Sequence, residues 1–121
     1  VLDMGDKFAT AGSERSDIYL KEAAIHARNI AKKYNCVIIW MSQLSAEAEG
    51  KINVNQSMLE GSKTGKAAEA DLMLLISKNP DIEGQDSNDP QRHIRLAKNK
   101  LTGWHGAVHV ELDVETGRYS A

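Results

Sequence analysis

The sequence predicts an α/β protein, with a mixed sheet that has parallel core strands, an antiparallel extension at its C-terminal end and a truncated N-terminus. Three observations lead there. Cys36-Val37-Ile38-Ile39-Trp40-Met41 is an apolar, β-branched run of the kind that sits inside a sheet covered on both faces. A long stretch from Ser16 to Tyr34, with apolar residues at helical spacing, comes before it. From His93 to the end the pattern changes to alternation, as antiparallel strands require.

Each element follows from its residues. Val1-Leu2-Asp3 has the look of the last residues of a buried strand whose beginning is missing, so the chain is expected to be a fragment. Met4 to Ser16 carries Gly5, Gly12, Ser13 and mixed charges, which suits a loop. The helix that follows starts at Ser16, a suitable N-cap, with Asp17 in its first turn. Its stripe is Tyr19, Ala23, Ala27, Ile30 and Tyr34, widened by Leu20, Ala24 and Ala31, and Asn35 is a natural stop. Ser45 to Leu59 is polar without a sustained period and reads as a connection, Lys63 to Ala70 holds about two helical turns, and Leu72 to Ile76 is the next core strand. The acidic stretch Asn79 to Pro90 cannot bury enough apolar surface to order itself. Ile94 and Leu96 then alternate, as do Ala107 to Val114, on either side of the Gly103 and Gly106 region, and Glu115-Thr116-Gly117 turns the chain into a last short strand at Arg118.

At 121 residues the chain makes one domain, spanning 1–121. A net charge of -2 argues against a nonspecific coat for nucleic acid and confines phosphate contacts to local clusters. No apolar run approaches the roughly 20 residues that span a bilayer, and the expected location is the cytoplasm. The single cysteine, Cys36, lies in the most apolar run and is expected to be a buried thiol.

Polar residues at the ends of strand-like runs carry the chemistry, because open parallel sheets bind ligands at their carboxyl ends. Asp3 ends one such run, where a carboxylate holds Mg²⁺ beside nucleotide phosphates or simply caps a loop. Gln43, two residues past Met41, can both donate and accept and so register a γ-phosphate; the same amide also serves in a plain turn. Gly61-Ser62-Lys63-Thr64-Gly65-Lys66-Ala67 imitates a phosphate loop but fails as one. Only three residues separate its glycines, Ala67 replaces the hydroxyl that reaches Mg²⁺, and no strand leads in. Ser62, Lys63, Thr64, Gly65 and Lys66 instead suit a string of phosphates, or form a solvated loop. Lys98 and Lys100 flank Asn99 and project one way, either toward an anion or as a solvated edge that resists strand pairing. His105 and His109 lack a third ligand for zinc, His26 and His93 have no assigned role, and Trp104 either stacks on a base or packs over the hairpin.

In order and spacing, these residues make nearly the whole chain resemble the C-terminal part of the RecA-like, P-loop NTPase motor domain of DnaB-type replicative DNA helicases, including phage primase-helicases. The resemblance rests on Asp3 ending a strand, Ser42-Gln43-Leu44 ending the next, the glycine-bearing loop leading to Ala70-Asp71, and Lys98-Asn99-Lys100-Leu101-Thr102-Gly103. It implies an ATP- and Mg²⁺-dependent 5′-to-3′ helicase in a bacterial or phage-infected cell, working as a hexamer on single-stranded DNA, with primase a candidate partner. It implies that Asp3 serves Mg²⁺, that Gln43 senses phosphate, that loops 4–15 and 61–66 face DNA, and that Lys98 and Lys100 reach ATP on an adjacent subunit. The family usually has arginine where Lys100 stands, and lysine lacks its planar two-pronged donor. The Walker A loop and the upstream catalytic glutamate of that family are not in this sequence, so the 121 residues alone are not expected to hydrolyse ATP. A RecA- or RadA-like recombinase shares the sheet and the glutamine, and a stand-alone, non-catalytic binding module is the reading from a different class.

Overall fold

A computed structural model of the chain describes residues 1–3, 16–60, 65–79 and 89–121. They gather into two compact units, one of Val1–Glu47 with Gln56–Ala70 and the other of Ala48–Asn55 with Asp71–Ala121.

In the first unit, helix α1 (Ser16–Tyr34) has the bounds its sequence implies. It buries Leu20, 3% exposed, and Ala24, while Tyr19 and Tyr34 of the expected stripe are exposed; the buried face is therefore centred on the small residues and Leu20. The helix stops at Asn35, which takes the left-handed φ of 50°, and the Cys36 N–H returns to the Ala31 carbonyl at 3.0 Å. That closes a Schellman cap, and asparagine tolerates its φ better than most residues. Helix α2 (Gly65–Glu69) packs against α1, and the Arg28 guanidinium donates to the Glu69 carbonyl at 2.6 Å, supplying a donor where a helix end needs one.

Val1-Leu2-Asp3 runs parallel to Cys36–Met41. The Leu2 N–H donates to the Ile39 carbonyl at 2.8 Å and the Met41 N–H to the Leu2 carbonyl at 3.0 Å, which pairs Leu2 with Trp40. The contact is one bridge rather than a ladder, and no longer parallel pairing occurs among the described residues. The run 36–41 is also not covered on both faces: Val37, Ile39 and Met41 are exposed while Ile38 and Trp40 are half-buried. Cys36, expected inside, is an exposed free thiol. Its place one residue after the cap keeps it at the entrance of the run and outside its covered part.

In the second unit, strands β1 (Leu72–Lys78), β2 (Gln91–Asn99), β3 (Gly106–Asp113) and β4 (Arg118–Ser120) form an antiparallel sheet in sequential order. The antiparallel extension is as the sequence predicts. Leu72 to Ile76, expected among the parallel core strands, instead belongs to this sheet: Leu75 pairs with Arg95 and Ile76 with Ile94. Chain reversal between β1 and β2 brings them together antiparallel, and a strand with one open face does not need the double cover of a parallel core.

The β2–β3 turn is built by Asn99, whose Oδ1 accepts the N–H groups of Leu101 and Thr102. The β3–β4 turn is built by Asp113, whose carboxylate accepts the Glu115 N–H and the Thr116 hydroxyl. Both are Asx turns, in which a short polar side chain replaces a backbone acceptor. Ala48, Val54 and Leu75 are buried here, and the Ser77 hydroxyl ties β1 to the Ile52 carbonyl. On the opposite face Ile76, Ile94 and Val108 lie in one row and Leu74 with Leu96 in the next, and Leu74 is 63% exposed.

Candidate functional site

The parallel contact in the first unit decides where two predicted residues lie. Asp3 directly follows Leu2, which pairs with Trp40, so Asp3 leaves its segment beside Met41 and at the same end as Ser42-Gln43. Both Asp3 and Gln43 are exposed. A carboxylate and an amide therefore project from the carboxyl ends of adjacent parallel segments, the position in which α/β sheets hold phosphate ligands.

Gln43 is fixed through its backbone. Its carbonyl accepts the Glu60 N–H at 3.1 Å, and the segments on either side are joined by the Leu44–Leu59 bridge and by the Ser45 N–H to the Met58 carbonyl at 2.7 Å. Ser45 Oγ is buried with no hydrogen-bond partner among the described residues, an unsatisfied hydroxyl two residues from the amide.

Lys66 departs from expectation. The loop reading has it offer its charge to DNA, yet it lies in the first turn of α2 and is only 7% exposed. Its Nζ donates to Ser42 Oγ and to the Glu60 carbonyl, both at 2.6 Å. Burying an ammonium is costly unless donors and acceptors meet in good geometry, and these contacts supply it. Nothing in the sequence separates Lys66 from Lys63, because a helix start and its buried face are set by packing. Ser62, Lys63 and Thr64 lie outside the described residues, as do loop 4–15 and residues 80–88; Gly65 opens α2 and is buried.

In the second unit, Lys98 is half-buried near the end of β2 and Lys100 stands one residue beyond the strand. The Lys100 N–H donates to the Asp71 carbonyl at 2.9 Å and its Nζ lies 3.6 Å from Asp71 Oδ1. This ion pair is solvent-exposed, and such pairs are worth little. Trp104 is 59% exposed and its ring lies over Gly106, the first residue of β3.

His93, given no role by the sequence, anchors a network. Its ring meets His109 edge-on with centroids 4.4 Å apart, its Nε2 is 3.0 Å from Asn79 Oδ1, and Asn79 Nδ2 donates to Asp89 Oδ2 at 2.7 Å. The Gln91 N–H, then Asn79, Arg92 and His93, hold the Asp89 carboxyl below its ordinary value. Pairing of His93 with His109 depends on strand register, which the alternation alone does not give.

The donor set suits the outer end of a Mg²⁺-nucleotide. Asp3 is a hard oxygen donor and Gln43 a two-way hydrogen-bonding group, whereas a glycine loop to cradle the phosphates is not in the sequence. No group of three or more His, Cys, Asp or Glu side chains that could hold a metal ion gathers among the described residues.

The arrangement defines a class, an α/β fold with its polar residues at one strand end. Comparison with solved structures names that fold. The chain is similar to the solved ATPase domain of a DnaB-like helicase, with a TM-score of 0.75 at 19% identity over 92% of this chain and 39% of that one. It is likewise similar to a DnaB-like replicative helicase whose structure was solved to describe its interactions with primase, with a TM-score of 0.72 at 19% identity over 91% of this chain and 26% of that one. Its fold is thus that of part of the DnaB-like helicase ATPase domain, and it spans less than half the length of either relative. No family model and no curated protein matches it. No helix among the described residues is long and apolar enough to cross a membrane.

Proposed function

We propose that the chain is part of an ATP-driven replicative DNA helicase that moves along single-stranded DNA as a hexameric ring in the cytoplasm of a bacterial or phage-infected cell. The observation that carries this reading is the exposed Asp3 carboxylate and Gln43 amide at one end of two parallel segments, in a fold shared with DnaB-like ATPase domains.

In this reading Asp3 helps hold Mg²⁺ and Gln43 registers the γ-phosphate, acting through hydrogen bonds that form or break with that phosphate. The Mg²⁺ supplies charge neutralisation on the phosphates. Lys98 and Lys100 reach ATP on an adjacent subunit, with Lys100 leaving Asp71 to do so. Residues 62–65 contribute to the DNA path, and primase is a candidate partner. The exposed Leu74, Ile76 and Val108, from two neighbouring rows of one sheet face, support a parent larger than this chain, because soluble proteins seldom leave such a face open.

The test is Gln43→Ala in the protein encoded by the complete gene. ATP hydrolysis and strand unwinding are expected to fall about 10²-fold or more while nucleotide binding persists. Undiminished turnover in that variant would remove Gln43 from the mechanism.

A further inference from the structure

Three hydrogen bonds make a closed circuit around the strand end that carries Gln43. Lys66 Nζ donates to Ser42 Oγ and to the Glu60 carbonyl, and the Glu60 N–H donates back to the Gln43 carbonyl, next in sequence to Ser42. The ammonium that closes this circuit is 7% exposed, and its two acceptors belong to segments 18 residues apart, Ser42 and Glu60.

We propose that Lys66 is a positioning residue: it fixes Ser42 and Glu60 relative to each other and so aims the Gln43 amide, and it does not contact DNA. This rests on the reading of Gln43 as a phosphate-facing group. The physical case is that a buried ammonium is held by short charge-assisted bonds, which are roughly twice as strong as neutral ones. Removing the Ser42–Lys66 bond takes a short charge-assisted contact from a buried ammonium, so the tie between Ser42 and Glu60 loosens and with it the backbone that carries Gln43. A DNA-contacting lysine, in contrast, keeps its head group in solvent on a flexible stem.

The first experiment is amine labelling of the complete protein with a small acylating reagent, read residue by residue by mass spectrometry. Lys66 is expected to react at least about tenfold more slowly than Lys100, because its exchange with reagent requires local opening. Labelling of Lys66 as fast as Lys100 would overturn the proposal. This readout needs no activity, so it decides the placement of Lys66 even if the helicase reading fails.

The second experiment uses the hydroxyl partner, which is the safer site for folding. Ser42→Ala is expected to lower kcat for poly(dT)-stimulated ATP hydrolysis about tenfold with KM within about twofold, and Ser42→Thr, which keeps the hydroxyl, to restore it. Adding Lys66→Met to Ser42→Ala should cost less than the sum of the two single changes, because they share the Lys66–Ser42 bond while the Glu60 contact is lost only with Lys66. The salt dependence of poly(dT) binding by Lys66→Met should match that of the unmodified protein; a slope reduced by about 1 would identify a lost phosphate contact and defeat the proposal. Absence of ATP hydrolysis or poly(dT) binding in the unmodified complete protein would defeat the helicase reading instead.

Discussion

The two compact units keep their order by different means. In the second, four strands are laced by antiparallel ladders and two Asx turns, so backbone hydrogen bonds and turn side chains hold the sheet. In the first, single bridges join Leu2 to Trp40 and Leu44 to Leu59, supported by α1 against α2 and by the buried Lys66 ammonium. The difference teaches where reactive groups can be kept. Asp3 and Gln43 stand just past a pairing of one residue, and Lys100 stands just past a ladder, so each is anchored on one side and open to solvent on the other. A strand end is the place where a side chain is positioned by regular structure without having its polar groups consumed by it.

The sharpest way to break the comparison is Lys100→Ala in the complete protein. If the exposed Asp71 pairing is a resting contact, ATP turnover in the assembled ring is expected to fall about 10²- to 10³-fold with nucleotide affinity nearly unchanged. Normal turnover would leave Lys100 as a surface cation without a catalytic contribution.

Next in size are paired core truncations. Leu20→Ala in α1 and Leu75→Ala in β1 should each cost about 2–4 kcal/mol, since both side chains are buried. Hydrogen exchange distinguishes the units: Leu20→Ala should speed exchange in α1 and α2 before the sheet, and Leu75→Ala the reverse. Uniform acceleration in both variants would show one cooperative body.

Gly106→Ala is a smaller test. A Cβ there would lie 2.3 Å from two carbons of the Trp104 ring, so the indole must move, at a cost of about 1 kcal/mol and with a shift in tryptophan emission. An unchanged spectrum would mean that the ring does not rest on the turn.

Acid provides the mildest test, and it falls on the second unit. The Thr116 hydroxyl, then the N–H groups of Glu115 and Thr116, hold the Asp113 carboxyl below its ordinary value of 3.8. A carboxyl depressed in the folded state contributes stability that is fully present above its unfolded value and is lost as pH falls through the lowered one. Asp89 behaves likewise through its bonds to Gln91 and Asn79. Stability of the sheet should therefore decline below about pH 4, and Asp113→Asn should flatten that decline. An identical acid profile in the variant would show that the turn carboxylate does not contribute.

Local pattern is enough for several elements. The bounds of α1, its stop at Asn35, the alternating strands and the turn at Glu115-Thr116-Gly117 follow from helical spacing, αL tolerance and period-two alternation, which act over a few residues. It is not enough for burial: Cys36 looks interior because it opens an apolar run, and Lys66 looks exterior because it closes a run of glycine, serine, lysine and threonine, yet both are reversed.

By itself, then, the sequence determined the helix, the strand segments, their turns and the polar residues that end them, because each depends on chemistry within one or two turns of chain. Tertiary structure alone decided that Leu72–Lys78 pairs with an antiparallel neighbour, that His93 faces His109, and that Lys66 closes on Ser42 and Glu60. Those are relations between residues distant in sequence, selected by register and by the requirement that a buried charge find partners, and neither condition is written in any local stretch.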